Sequence, residues 1–322
     1  MKKIRKLIII GYSKLALRLY EKFSKSLVVE IIYSQRELKE FNREIKTLKN
    51  NKIFMIKDID KYLQKLNNKR SIIIFSLGSS FIFKNKIINL YKNRIFNCHN
   101  TDLPRWKGGG DISYRIMNRY NKGATTIHEI SNKIDEGKIV FQKKYKVEIN
   151  ATKPYKLKAI VQERAYNHLI SFLNNLLAKK KFIYKKNKNE IGFYLPRLNT
   201  DIHGAINWNW DGRDIKSFIN AFSIPYKGAF CFCRKKKIRI FKAKLIKQEF
   251  LKHPFMYGII FRIYKNNIYV AAKNYSLIIN KKDIKLEIDL DEGDRLYTPQ
   301  SIIDSSNSLR VIYSHKGKTF KK

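Results

Sequence analysis

The chain holds 322 residues, 44% hydrophobic and 13% aromatic, enough to bury two ordinary cores and too much for a disordered or fibrous protein. Its 68 Lys and Arg outnumber 26 Asp and Glu, a formal charge of +42, but the lysines are strewn along the whole length among Asn and Ile, the bias that AT-rich coding leaves. The densest runs, Lys179–Lys181, Lys185–Lys186 and Arg234–Lys237, fall where loops are expected, so the charge argues for attraction to small anions rather than for a nucleic-acid partner.

In chain order, Lys6–Ile10 reads as a short apolar strand, Gly11–Ser13 as a turn and Leu15–Phe23 as a helix with apolar residues at helical spacing. Leu27–Tyr33 is a second strand, charged Gln35–Asn50 an exposed helix, and Lys52–Ile56 a third strand. Ser71–Leu77 is an apolar strand ending at Gly78; Phe81–Tyr91 resembles a helix and Arg94–Asn97 the next strand. This alternation predicts an α/β fold with a mostly parallel, Rossmann-like sheet and helices on both faces. Gly11 stands alone, too little for a dinucleotide-binding turn.

Further on, Asp111 is placed to cap a helix through Tyr114, Ile116 and Met117, and Ala124–Ile130 and Ile139–Val147 read as strands around a loop containing Asp135. Thr152 and Pro154 mark the start of a long helix running to Leu177, whose His168 is expected to be structural. Tyr194–Arg197 ends the first domain. Asp211 is expected to cap a helix presenting Ile215, Phe218, Ile219 and Phe222, with Trp208 and Trp210 in the core. Five short strands follow, Phe230–Cys233, Ile238–Ala243, Tyr257–Ile263, Ile268–Ala272 and Leu277–Asn280, at the spacing of a small β-barrel. From Leu290 the sequence turns polar and predicts a loosely packed tail. The expected boundaries are therefore 1–198, 199–290 and 291–322. No apolar run reaches the length of a membrane span, and Leu7–Ile10 is too short for a signal peptide. Cys98, Cys231 and Cys233 are too few for a disulfide framework and lack histidines for zinc, so a reducing, cytoplasmic setting is expected.

Candidate chemistry concentrates in Asn97-Cys98-His99-Asn100-Thr101-Asp102-Leu103-Pro104 and in Ile134-Asp135-Glu136-Gly137. Residues two apart on a strand share a face, so Asn97 and His99 can address one pocket from a rigid element. Pro104 ends the extended segment, and Gly108, Gly109 and Gly110 form a loop where a ligand can approach the backbone closely. A carboxamide donates to a developing oxyanion, an imidazole shuttles a proton, and a carboxylate orients the imidazole or draws a proton from an amine. Taken singly, Asn97 or His99 is more simply a hydrogen-bonded strand-end residue with no chemistry.

The ordered set Asn97, His99, Leu103-Pro104, Lys107-Gly108, Thr126-Ile127-His128 and Asp135-Glu136-Gly137 resembles the signature of the folate-dependent formyltransferase family, which includes methionyl-tRNA, glycinamide ribonucleotide and amino-sugar formyltransferases. The likeness runs from about Met1 to about Leu245, and Ala221–Ala229 is similar to the linker helix and first strand of the OB-like barrel in multidomain members. It implies a catalytic domain over 1–198 and an OB-like β-barrel over 199–290. It also implies 10-formyltetrahydrofolate as co-substrate, bordered by Leu77, Gly78, Phe81, Ile82 and Asp135, with no metal. In family terms Asn97 is the oxyanion donor and His99 assists it or carries a proton. Asp135 holds His99 and helps deprotonate the attacking amine. Pro104, Lys107, Gly108, Gly109 and Gly110 would meet the acceptor.

In the tRNA branch a basic loop with Gly and Pro follows the second strand; Ser34–Lys49 has neither, and Thr101-Asp102-Leu103-Pro104 replaces the family's Ser-Leu-Leu-Pro. The resemblance therefore points to a nucleotide-linked amino sugar as acceptor. Methionyl-tRNA is the alternative, and an inactive formyltransferase-fold binding module the alternative outside the class. Small-molecule partners are expected, compatible with a homodimer, and no nucleic acid or membrane.

Overall fold

A computed structural model of the chain describes residues 3–41, 44–45, 50–79, 81–148, 151–180, 184, 191–247, 252–314 and 317–321. Ser80, Lys181, Lys185–Lys186 and positions 42–43 and 46–49 of the expected second helix lie outside these. The first half runs β1 (Lys6–Ile10), α1 (Lys14–Phe23), β2 (Val28–Tyr33), α2 (Gln35–Glu40), β3 (Ile53–Met55), α3 (Ile59–Lys65), β4 (Ile72–Ser76), α4 (Asn85–Leu90) and β5 (Ile95–His99). It continues through β6 (Trp106–Gly108), α5 (Asp111–Met117), β7 (Lys122–Glu129), β8 (Ile139–Lys146), α6 (Pro154–Leu177) and β9 (Phe193–Leu195).

Seven strands form one sheet in the order β3-β2-β1-β4-β5-β7-β8. The pairs from β3 to β5 are parallel; β7 and β8 run antiparallel at the far edge. Both faces are covered, as parallel sheets require. Leu7, Ile9, Phe75, Phe96 and Ile127 pack with α1 and α6 through Leu19, Leu169 and Phe172. The alternate residues Ile8, Ile10 and Ile74 pack with α3 and α4 through Leu63 and Ile87. Alternation on β5 places Phe96 and Cys98 against the α6 side, so Asn97 and His99 take the other face. His168 is buried on α6 and holds the Thr125 hydroxyl at 2.9 Å.

Several local expectations change. The helix over Phe81–Tyr91 begins only at Asn85, because Phe81 and Phe83 point into the core while Ile82 points out, a two-residue alternation that a helix cannot satisfy. The helix from Gln35 closes at Phe41. Asp111 is the first helical residue rather than the cap, which is Gly110, and Lys153 rather than Thr152 precedes Pro154 at the start of α6. Helix α3 is an element the apolar pattern missed; it is short, and the Asp58 carboxylate accepts from the Lys61 N–H at 2.9 Å to start it.

The second half holds α7 (Thr200–His203), α8 (Gly212–Ala221), β10 (Ala229–Cys233), β11 (Lys236–Ile240), β12 (Lys244–Lys247), β13 (Ile260–Tyr264), β14 (Asn267–Ala272), β15 (Tyr275–Asn280), β16 (Ile284–Lys285), α9 (Gln300–Ser308), β17 (Arg310–Ser314) and β18 (Gly317–Lys321). The Asp211 carboxylate caps α8 through the Arg213 N–H. The β-rich unit consists of two antiparallel sheets, β10-β11-β16 and β12-β15-β14-β13, around a shared core. Trp208 lies in that core, and Trp210 meets Phe218 edge-on. The segment after Leu290 differs from the loose tail expected of it. Leu296 is fully buried, Ile303 of α9 packs on Ala205 and Phe230, and Arg234 binds both Asp291 and Asp294. Its polar residues cover a few apolar ones that pin it down.

Candidate active site

The C-terminal end of β5 and the loop from β7 to β8 bring three of the expected residues together. Pairing of β5 with β7 sets Asn97 opposite His128 and His99 opposite Thr126. The β7–β8 register shifts between Ile127 and His128, a bulge that re-aims the strand beside the site. The following loop carries Asp135 at φ +56°, a left-handed conformation that Asp tolerates better than most side chains.

The Asp135 carboxylate lies 3.4 Å from Asn97 Nδ2, 3.5 Å from His128 Nε2 and 3.8 Å from His99 Nδ1. The Gly108 N–H donates at 2.9 Å to Oδ2, the oxygen that faces His99, while Asn97 and His128 face Oδ1. Burial pushes this carboxyl up, but the His128 ring, the field of His99 and the Gly108 N–H outweigh burial and hold it down at about 2. It is an anion at any pH where the protein works.

Hydrogen bonds orient both rings. His128 Nδ1 donates to the Glu129 carbonyl at 2.8 Å, and Nε2 lies 3.1 Å from Asn97 Nδ2. His99 Nε2 donates to the Trp106 carbonyl at 3.0 Å, which turns Nδ1 toward Asp135. The Trp106 carbonyl also accepts from the Thr101 hydroxyl at 2.6 Å. Thr126 and Gln142 anchor the same loop through the carbonyls of Thr101 and Leu103. The arrangement offers an amide donor, an imidazole able to take a proton and a carboxylate to balance the imidazolium.

The other expected residues divide. Lys107 Nζ pairs with Glu136 at 2.7 Å, tying β6 to the Asp135 loop. At Gly108, φ is +93° and a Cβ would stand 2.2 Å from the Leu195 carbonyl oxygen, so only glycine lets β6 pair with β9 there. Gly109 and Gly110 line a cleft of about 330 Å³ with Arg36, Lys158, Arg197 and Tyr226. Pro104 is in neither of the two larger cavities. Leu77 and Phe81 are buried in the two cores on either side of the sheet, while Ile82 is 74% exposed. Gly78, at φ +69°, has open space on its Cβ side, and its carbonyl accepts from Arg36 at 3.1 Å.

Three residues gain a place that sequence reasoning did not give them. His128 belongs to the quoted Thr126-Ile127-His128 stretch, but only the antiparallel register sets it against Asn97. Arg36 lies in the charged segment after β2, where nothing in the pattern singles it out. Asp111 was read as a cap. Burial pushes its carboxyl up, against the pull of His99, Arg115 and Arg197, so it sits electrostatically between the site and the cleft.

The formyl transferase family model matches residues 37–173, and the model of the formyl transferase C-terminal domain matches residues 200–288. The chain belongs to the formyl transferase family. It is 29% identical over 274 residues to the bifunctional polymyxin resistance protein ArnA of Wigglesworthia glossinidia brevipalpis, spanning 80% of this chain but only 39% of that protein. It is 24% identical over 291 residues to the methionyl-tRNA formyltransferase of Clostridium tetani, 86% of this chain and 91% of that one. In fold it is similar to an N-formyltransferase from Helicobacter canadensis, solved in complex with folinic acid and dTDP-3-aminofucose. That match has a TM-score of 0.63 and 20% identity, over 86% of this chain and 99% of the other.

Proposed function

We propose that this chain transfers a formyl group from 10-formyltetrahydrofolate to the amine of a nucleotide-linked amino sugar. The observation that carries the reading is the convergence of Asn97, His99 and Asp135 next to a cleft lined by three cations, Arg36, Lys158 and Arg197, against one carboxylate, Asp111. The two are joined by β6: Asp135 holds the Gly108 N–H, and the next two glycines line the cleft. At about 330 Å³ the cleft is of the size that takes a small ligand, and its cations suit a diphosphate. The Helicobacter canadensis protein, with folinic acid and an amino-sugar nucleotide bound, supports the same pairing of donor and acceptor classes.

The end of β4 fits the folate. Open space beside Gly78 and the exposed Ile82 offer peptide groups and an apolar contact, while Phe81 supports them from the core instead of touching the ligand. The co-substrate supplies a formyl carbonyl already activated by its nitrogen. Asn97 Nδ2 turns a proton from its long 3.4 Å contact with Asp135 to the negative charge that develops on the formyl oxygen. His99 Nδ1 takes the proton shed by the attacking amine and hands it to the folate nitrogen as the bond from that nitrogen to the formyl carbon breaks, while its Nε2–H stays anchored on the Trp106 carbonyl. Asp135 stabilises the imidazolium so formed. Removing an oxyanion donor costs about 3 kcal/mol, a hundred-fold or more in rate.

The test offers 10-formyltetrahydrofolate with a panel of nucleotide-linked amino sugars and, in parallel, charged initiator tRNA, reading product masses. A formylated amino sugar is expected. Turnover of methionyl-tRNA alone would overturn the acceptor assignment in favour of the activity for which the Clostridium tetani relative is named. No turnover on any amine would overturn the formyl-transfer reading itself.

A further inference from the structure

The geometry points to a second binding site, for a phosphate-bearing small molecule, in a cavity of about 410 Å³ beyond the end of β5. Its lining includes Trp106, Arg115, Lys122, Gly123, Tyr145 and Lys146, and none of Asn97, His99 or Asp135. The anchor is Arg115 of α5, only 7% exposed. Among the described residues, none of its three side-chain nitrogens makes a well-formed hydrogen bond, and it forms no ion pair. The Asp111 carboxylate attracts it from a distance, and the Tyr145 hydroxyl interacts with it outside good hydrogen-bond geometry. A guanidinium cannot shed its charge, so a buried one whose N–H groups lack well-placed acceptors has room for an anion that supplies them. Trp106 Nε1 and Tyr145 Oη are likewise buried without partners, which adds two neutral donors to the same wall.

Two further features fit an anion. Lys122 and Lys146 stand directly opposite each other across the β7–β8 pair, an arrangement in which like charges destabilise the sheet until a counter-charge lies between them. Gly123 lets the guanidinium and the Tyr145 ring close onto the strand beside the lysine pair: a Cβ there would lie 2.5 Å from the Tyr145 ring and 2.9 Å from Arg115 Nη2. The only carboxylate of the lining, Asp102, is already held by Lys144 at 2.7 Å. The site takes a phosphate monoester, with the phosphate toward Arg115 and the lysine pair. An occupant would also rest on Trp106, the residue whose carbonyl holds His99 in place.

The experiment titrates the full chain with inorganic phosphate, ribose 5-phosphate and adenosine monophosphate by calorimetry at fixed ionic strength. The three probes separate a bare phosphate site from one that also reads a sugar or a base. Saturable one-to-one binding of at least one probe is expected. It should weaken about ten-fold or more in Lys122→Glu/Lys146→Glu, where both positions are exposed, and in Arg115→Met. Arg197→Ala, in the acceptor cleft, should leave it unchanged. If Arg115→Met does not fold, the lysine double variant alone decides. Binding that is absent for all three probes, or lost in Arg197→Ala and untouched by the lysine pair, would overturn the site. Neither result depends on which amine the active site formylates.

Discussion

Asp135 is the residue on which the candidate site turns, because its two oxygens reach Asn97, both histidines and the Gly108 N–H at once. Asp135→Asn keeps the shape and removes the charge that balances a protonated His99. Formyl transfer should fall by roughly 10²–10⁴-fold in a protein whose circular dichroism is unchanged. His99→Ala should fall as far, and near wild-type turnover in both folded variants would remove the site from consideration. The same carboxylate makes a pH-dependent contribution to folding. Its folded value of about 2 lies below the ordinary 3.8, so the stabilisation is complete above about pH 4 and is lost as pH falls through about 2. The contribution is on the order of 2 kcal/mol. Urea midpoints of wild type and Asp135→Asn, measured from neutral pH downward, should converge in that window; a constant gap would show that the charge is not what stabilises.

At the scale of elements, the β7–β8 hairpin carries half the site. Its loop must turn sharply to set Asp135 under β5, and Gly137 lets it: a Cβ there would lie 1.6 Å from the Glu129 carbonyl oxygen. Gly137→Ala must therefore shift backbone, with an expected loss of about 1–3 kcal/mol by chemical denaturation and a drop in turnover out of proportion to it. Unchanged values for both would mean that the loop relaxes without cost. This element also shows where sequence reading stops. Both strands of the hairpin are legible from their apolar residues, as are Asn97 and His99 from their spacing on β5. The pairing of Asn97 with His128 depends on a register and a bulge that the strand residues do not announce. The segment Phe81–Phe83 failed for a related reason: a short apolar run looks the same whether it turns as a helix or lies flat against a core.

For the whole molecule, the two halves share apolar packing. Ile116 of α5 and Leu157 and Val161 of α6 belong to the same core as Trp208, Ile219, Leu277 and Leu296. The Ser113 hydroxyl donates to the Ala221 carbonyl at 3.0 Å, and Arg119 pairs with Asp214 at 2.7 Å, so α5 is fastened to α8. Because α5 follows directly from Gly109 and Gly110 of the cleft, the second half supports the candidate site's geometry. Leu296→Ala empties a fully buried position in this core and should cost about 2–5 kcal/mol in urea unfolding. A loss within a few tenths of a kcal/mol would mean that the segment after Leu290 is only loosely attached.

The class of fold was readable from residue order alone, since β-strand and helix periods follow from which residues are apolar, and apolar residues must be buried wherever the chain goes. Asn97, His99 and Asp135 were legible as a candidate set, because their residue types and order match the family's signature. The partners of those residues were decided only by tertiary structure. His128 against Asn97, Arg36 beside the glycine-lined cleft and Arg115 at the wall of the second cavity are each brought there by strand register or by packing between segments far apart in the chain. A lone polar residue in a charged sequence looks like any other until burial removes its water. Burial is a property of the folded whole, which is why a chain with 68 basic residues shows its few decisive cations only once it is packed.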